Sequence, residues 1–230
     1  MAEEEIKSAL KEKEVLLGEV HHRVKNNLTA IIGLIGLQIS TFTDPVIISH
    51  FKAFEIRLRS MAIIYELLVT TKNFTQINLD TYMEKLVSYL FQVYDITTKI
   101  IYRIDMGGIM MPIETIIPCG LVVSEIITNS LKYAFPETFS GREERGEACI
   151  ITISLQHEDN EYLLTVEDNG IGIAEGTDVS ISHSLGLFLI RFIIEHQLQG
   201  NLEISTAGGT LFNIRFPEST LMRHDSNEQT

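Results

Sequence analysis

Between residues 3 and 41 the chain carries no proline, and its apolar residues return at helical spacing. Leu17, Val24 and Ile31 recur every seven residues, with Val20, Leu28 and Ile35 beside them. This predicts one long helix. The tripeptide "TDP" at 43–45 then offers Asp44 as N-cap and Pro45 as the first residue of a second helix, which the pattern carries to about Val69. Along it Phe51, Phe54, Leu58, Met61, Tyr65 and Leu68 alternate spacings of three and four, a coiled-coil seam. Two long helices joined by a short turn predict an antiparallel hairpin. Ile56, Ile63, Ile64 and Leu67 lie off that seam, as do Ile32 and Ile39 of the first helix. A single hairpin leaves them uncovered, so a second hairpin or another domain is implied. The uncharged stretch "NNLTAIIGLIGLQISTFT" (26–43) is too rich in Asn, Gly and Thr for a membrane span and reads as a helix buried on more than one side.

The pattern changes after "TTKNFTQIN" (70–78), a candidate linker. Residues 79–94 predict a helix, 99–105 a strand, and 117–135 a helix with Pro118 near its start. Strands at 148–157 and 161–168 flank an "EDN" turn, and a helix follows over "SLGLFLIRFIIEHQLQ". "GNLEIST" and "GGTLFNIRF" close the chain as a hairpin around Gly208 and Gly209. The expected class is α+β: an N-terminal helical hairpin (1–72), an α/β sandwich (79–219) with helices on one face of a mixed sheet, and a disordered tail (220–230).

Composition narrows the function. A net charge of −13 over 230 residues argues against a nucleic-acid or anionic-membrane partner. The two cysteines, Cys119 and Cys149, stand in apolar contexts with neither metal-ligand nor disulfide-framework spacing. That favours a reducing compartment, the cytoplasm.

The second half carries candidate chemistry. Glu125, Asn129 and Lys132 share one helix face. A carboxylate, an amide oxygen and an ammonium so arranged suit a hydrated Mg²⁺ and the phosphates it bridges. "DNGIG" at 168–172 ends a strand. Its glycines permit positive φ and close approach of a ligand, and Asp168 can accept a hydrogen bond from an exocyclic amine. In "SHSLGLFLI", Ser184 can cap a helix beginning near Gly186, whose N-terminus attracts phosphate.

Taken in order, "EIITNSLKYAF", "DNGIG", "SLGLFLI" and "GGTLFNIRF" resemble the N, G1 and G2 boxes and closing Gly-Gly-Thr of the ATP-binding fold shared by sensor histidine kinases, gyrase-type ATPases, heat-shock chaperones and mismatch-repair ATPases. "LLGEVHHRVKNNL" resembles the phosphoacceptor segment of those sensor histidine kinases whose H-box reads His-Arg-Val-Lys-Asn. The likeness runs from about Glu14 to Pro217. It implies ATP and Mg²⁺, with Asn129 on the metal, Lys132 on phosphates, Asp168 on the adenine amine and Thr210 supporting the base. Gly170, Gly172, Gly186 and Leu187 complete the cofactor-binding set, with 173–185 as a lid. Glu125 takes the position of the general base of the ATPase relatives, or of a His-orienting group in kinases. Ser184 departs from the pattern, standing where many kinases have a second glycine.

Helical geometry separates the adjacent histidines. With Val24 at the centre of the buried stripe and about 100° per residue, His21 lies about 60° from that centre and His22 about 160° away. His21 therefore flanks the core, and His22 faces solvent with Asn26 one turn on. The family's role falls on the same His22, which precedes Arg-Val-Lys-Asn. The implied activity is autophosphorylation of His22 from ATP, assisted by Glu125 and Asn26, and then transfer to an aspartate of a separate response regulator. A homodimer through a four-helix bundle and a sensor region ahead of this chain are also implied, with a monomer as the alternative. Two other functions stay open: a degenerate, non-enzymatic phosphotransfer scaffold, and a Ser/Thr kinase of the anti-sigma type with the same ATP fold.

Overall fold

The structure, a computed structural model, describes residues 2–71, 73, 75–94, 100–136, 148–173, 185–206 and 208–218. Helix α1 (Ala2–Ile39) turns through residues 40–44 into α2 (Pro45–Thr71). Asp44 caps α2 as its sequence predicts: Oδ1 accepts from the amides of Val46 (2.8 Å) and Ile47 (3.4 Å). The α/β layer contains β1 (Gln76–Asn78), α3 (Leu79–Val93), β2 (Ile100–Asp105), β3 (Met110–Pro112), α4 (Ile113–Asn129), β4 (Cys149–Glu158), β5 (Glu161–Asp168), α5 (Leu185–Phe192), β6 (Asn201–Ser205) and β7 (Thr210–Pro217). The main sheet runs β2-β4-β5-β7-β6. β2 and β4 are parallel and every other pair is antiparallel, which makes the expected mixed sheet. The β4–β5 turn places Asp159 and Asn160 at φ of 50° and 62°, conformations that Asn and Asp tolerate best after glycine.

Period-two alternation sets one face of the sheet against the helices. Ile151 and Ile153 of β4, Leu164 and Val166 of β5, and Phe212 and Ile214 of β7 are all buried. The same inward register ends in two polar residues, Asp168 and Thr210, directly opposite each other across β5 and β7. The core face of the sheet thus runs out, at one end, into hydrogen-bonding groups.

The hairpin packs on this layer. Ile56, Ile63, Ile64, Leu67 and Leu68 of α2 join one continuous core with α3, α4 and the sheet. Each such side chain contributes about 1.5–3 kcal/mol when fully buried. Tyr82 of α3 sits at the junction and donates from its hydroxyl to the Ser60 carbonyl of α2 (3.3 Å). A side chain at Gly120 of α4 would run into the Tyr82 ring, so glycine permits this close approach.

Several expectations need correction. Of the two partners implied for the off-seam residues Ile56, Ile63, Ile64 and Leu67, the second hairpin is not the one found: the other domain of the same chain, through α3 and α4, covers them. The uncharged stretch of α1 is covered from one side only: Ile31, Leu34 and Leu37 are exposed. The buried stripe of α1 follows His21, Ile35 and the half-buried Leu28, Ile32 and Ile39. It is rotated from the Val24-centred stripe toward His21, the side on which α2 packs. Val20, expected inside, is exposed. α4 begins four residues earlier than expected, at Ile113, and Pro118 lies within it. The short β3 precedes it and pairs with β1, so the candidate linker is partly strand and partly the last turn of α2. The lid (173–185) and the Ser184 cap fall almost wholly outside the described residues, as do 219–230. Helix α4 with its continuation to Ala134 is long and apolar enough to cross a membrane, yet 78% of that window is buried, as befits a central core helix.

Candidate functional site

A 470 Å³ cavity opens where the polar end of the sheet meets α4, α5 and the hairpin. The sequence-predicted residues Glu125, Asn129, Lys132, Asp168, Gly172, Gly186, Leu187 and Thr210 all line it. They come from four separate stretches of chain, brought together because α4 packs across the strand ends.

Asp168, the last residue of β5, is buried and held on both oxygens. Oδ1 accepts from the amides of Gly170 (3.0 Å) and Thr210 (3.3 Å), and Oδ2 accepts from the Ser130 hydroxyl (2.7 Å). Three donors fix the plane of the carboxylate and leave lone-pair directions for a ligand's N–H. Asn169 ties the turn to β4: its Oδ1 accepts from the Ile150 amide (2.7 Å) and its Nδ2 donates to the Ala148 carbonyl (2.9 Å). Gly170 is needed for a reason other than ligand approach. A Cβ there would strike the Ala134 carbonyl at the end of α4, which accepts from the Ile171 amide (3.0 Å). Gly172 does take positive φ, at 70°.

On α4, Glu125 and Asn129 face the first turn of α5. A Cβ on Gly186 would stand 3.1 Å from Glu125 Oε2 and 3.9 Å from Asn129 Nδ2, so glycine keeps that corner open. Beyond Asn129 the helix continues in wider, π-type turns over Ser130–Ala134. These carry Lys132, whose ammonium lies 5.6 Å from the Tyr94 ring. Burial pushes the Lys132 pKa below its ordinary value and neighbouring Arg57 adds to this, while Glu125 opposes it. No cluster of three or more His, Cys, Asp or Glu able to hold a metal ion occurs among the described residues. The donors present fit Mg²⁺ in one way: an Asn129 side-chain oxygen beside a phosphate-bearing ligand that supplies the remaining oxygens.

The largest omission from the sequence reading is Arg57. From α2 its Nε donates to Glu125 Oε1 (2.7 Å) and its Nη2 to Oε2 (3.1 Å), a two-pronged ion pair between the hairpin and the α/β layer. Arg57 lines the cavity, and so do Ser49, His50 and Ala53 of the same helix. A signal was available: Ile64, two turns on, and Ser60, three residues on, are buried, so Arg57 is a charge on an apolar face. Ser130 was also missed.

The structure keeps His22 and Asn26 apart from this group. Both are exposed on α1, which contributes no residue to the cavity lining among the described residues. His21 is buried against Tyr65, with ring centroids 5.8 Å apart. Exclusion from water lowers its pKa below 6.5.

Comparison with known proteins agrees with this geometry. Residues 19–94 match the family model "Histidine kinase", and residues 115–220 match "Histidine kinase-, DNA gyrase B-, and HSP90-like ATPase". The chain belongs to the histidine kinase family. It is 28% identical over 219 residues to Blue-light-activated histidine kinase 2 of Erythrobacter litoralis, covering 93% of this chain and 60% of that protein. It is 27% identical to sensor histidine kinase PdtaS of Mycobacterium tuberculosis, covering 91% of this chain and 40% of that one. The chain therefore spans 60% and 40% of the length of these curated relatives. The histidine kinase domain of the Erythrobacter litoralis EL346 blue-light-activated kinase superposes with a TM-score of 0.62 at 25% identity, over 90% of this chain and 95% of that one.

Proposed function

We propose that the chain is the transmitter core of a two-component sensor: it phosphorylates itself on His22 from ATP and passes the phosphoryl group to an aspartate of a response regulator. The observation that carries this is the pairing of an exposed histidine in the H-box segment with a cavity whose buried Asp168 presents a fixed acceptor beside Asn129 and Lys132. Residues 1–72 act as phosphoacceptor hairpin and 79–219 as catalytic domain.

In this reading Asp168 accepts a hydrogen bond from the adenine amine and Thr210 supports the base. Gly172, Gly186 and Leu187 shape the pocket, while Gly170, outside its lining, holds the turn that carries Asp168. Lys132 would hold phosphate charge and Asn129 would hold Mg²⁺, which when bound would offset charge on the phosphates. A neutral His22 imidazole nitrogen attacks the γ-phosphorus in line, the bond to the β–γ bridging oxygen breaks, and ADP leaves. The ring gives up its N–H proton, and Glu125 and Asn26 assist in orienting His22. Because the cavity is walled by α2 and not by α1, His22 reaches a γ-phosphate only when the hairpin moves on its layer or enters the pocket of a second chain.

We also propose a homodimer, on a different surface from the one its sequence first suggested. Leu16, Val20, Ile31 and Leu34 are exposed and, at about 100° per residue, lie within about 40° of one line along α1. That line is roughly 160° from His22, so a partner packed there leaves the phosphoacceptor free. The two cysteines, Cys119 and Cys149, are both buried, as suits a reducing cytoplasm. Incubation with γ-labelled ATP and Mg²⁺ tests the function: label must enter wild type, be absent from His22→Gln, and pass to a receiver protein. Label that stays in His22→Gln contradicts it.

A further inference from the structure

We propose that Arg57 is a ligand for the terminal phosphate of the nucleotide, so that the phosphoacceptor hairpin itself completes the ATP site. This rests on the kinase reading above and adds to it a residue outside the nucleotide-binding motifs.

Three observations support it. The first is position. The Arg57 guanidinium is anchored on both oxygens of Glu125, at 2.7 and 3.1 Å, and Glu125 Oε2 is the atom nearest to a Cβ built on Gly186. Arg57 therefore stands where Asn129, the first turn of α5 and the cavity meet. The second is donor count. A guanidinium has five N–H groups, and the pair with Glu125 uses two, leaving three for another acceptor. Holding one edge of the fork on a carboxylate pre-orients the other, and Arg binds phosphate through such planar, two-pronged contacts. The third is charge. The cavity lining carries Arg57 and Lys132 against Glu125 and Asp168. Without Arg57, a single lysine would face two carboxylates. That is a poor host for a triphosphate. With Arg57 the charges balance and a polyanion can enter.

The arrangement has a consequence for the cycle. ATP is bound most tightly while the hairpin is docked on its layer through Ile56, Ile63 and Ile64. Loss of the terminal phosphate removes the acceptor that Arg57 holds, so ADP is retained less well than ATP by the docked form.

Calorimetric titration of the whole chain with ATP, ADP and adenosine, for wild type, Arg57→Ala and Arg57→Lys, tests the proposal. Arg57→Ala should lose tenfold or more in ATP affinity, clearly less in ADP affinity and nothing in adenosine affinity. Arg57→Lys should recover part of the loss. Unchanged adenosine binding doubles as evidence that the pocket is folded. If Arg57→Ala does not fold with Glu125 unpaired, the doubly neutral Arg57→Met, Glu125→Gln chain must show the same selective loss for ATP. ATP binding that is unchanged or tighter in these variants, with adenosine binding intact, overturns the proposal and makes the ion pair a clamp that holds the hairpin shut. A wild-type chain that binds neither adenosine nor ATP fails at the kinase reading itself and takes this proposal with it.

Discussion

His21 packs edge-on against Tyr65 across the hairpin, with ring centroids 5.8 Å apart, while His22 beside it is exposed. A single helical step separates a packing residue from the proposed phosphoacceptor. Burial lowers the His21 pKa below 6.5, so the folded hairpin holds it neutral. The unfolded chain takes up that proton first as pH falls. Stability from this group is therefore complete above about pH 6.5 and lost below it. Urea midpoints measured from pH 7.5 to 5 should fall with pH, and His21→Gln should flatten that part of the curve. An unchanged slope in the variant would contradict the assignment.

Asp168→Asn should weaken ATP binding by about 1.5–3 kcal/mol, roughly ten- to a hundredfold, since a fixed carboxylate acceptor becomes an amide that can present its NH₂ to the adenine amine. Ser130→Ala should weaken it less, because two backbone amides still hold Oδ1. Calorimetry reads both, and equal losses would show that Ser130 does more than orient the carboxylate.

Gly170→Ala should destabilise the fold by about 1–3 kcal/mol, because the added methyl meets the Ala134 backbone, which cannot move without disturbing the end of α4. Denaturant unfolding checks this, and a variant as stable as wild type would show that the turn relaxes freely.

Leu34→Glu should convert a dimer of about 52 kDa into a 26 kDa monomer in light scattering, at little cost in stability, since Leu34 is 65% exposed in the single chain. Leu67→Glu should instead unfold the chain, because Leu67 lies in the core shared by α2 and the α/β layer. A wild-type mass near 26 kDa at micromolar concentration would refute the dimer.

Much of this was legible in the sequence where local rules act alone. Asp44-Pro45 marked the start of α2, and alternation in 148–157 and 161–168 marked the central strands to within a residue at each end. Asp168 and Thr210 were found as motif residues, and strand register explains why they meet. What the sequence hid was tertiary. The cover of the off-seam isoleucines of α2 stays open in the sequence, between a second hairpin and another domain, because periodicity reports that a face is buried and not by what. Arg57 escaped notice because its partner is 68 residues away, although a charge in the register of Ile64 needed one. The start of α4 was misplaced because Pro118 is a common first-turn residue, whereas here β3 sets the start.

The central claim is that His22 receives the γ-phosphoryl group of ATP. The most direct measurement is to label the chain with γ-labelled ATP and Mg²⁺ and to map the labelled residue by mass spectrometry under neutral conditions. The account predicts one acid-labile phosphate on the peptide containing His22, and none on His21. An acid-stable phosphate on serine or threonine, or a phosphate on His21, would contradict it.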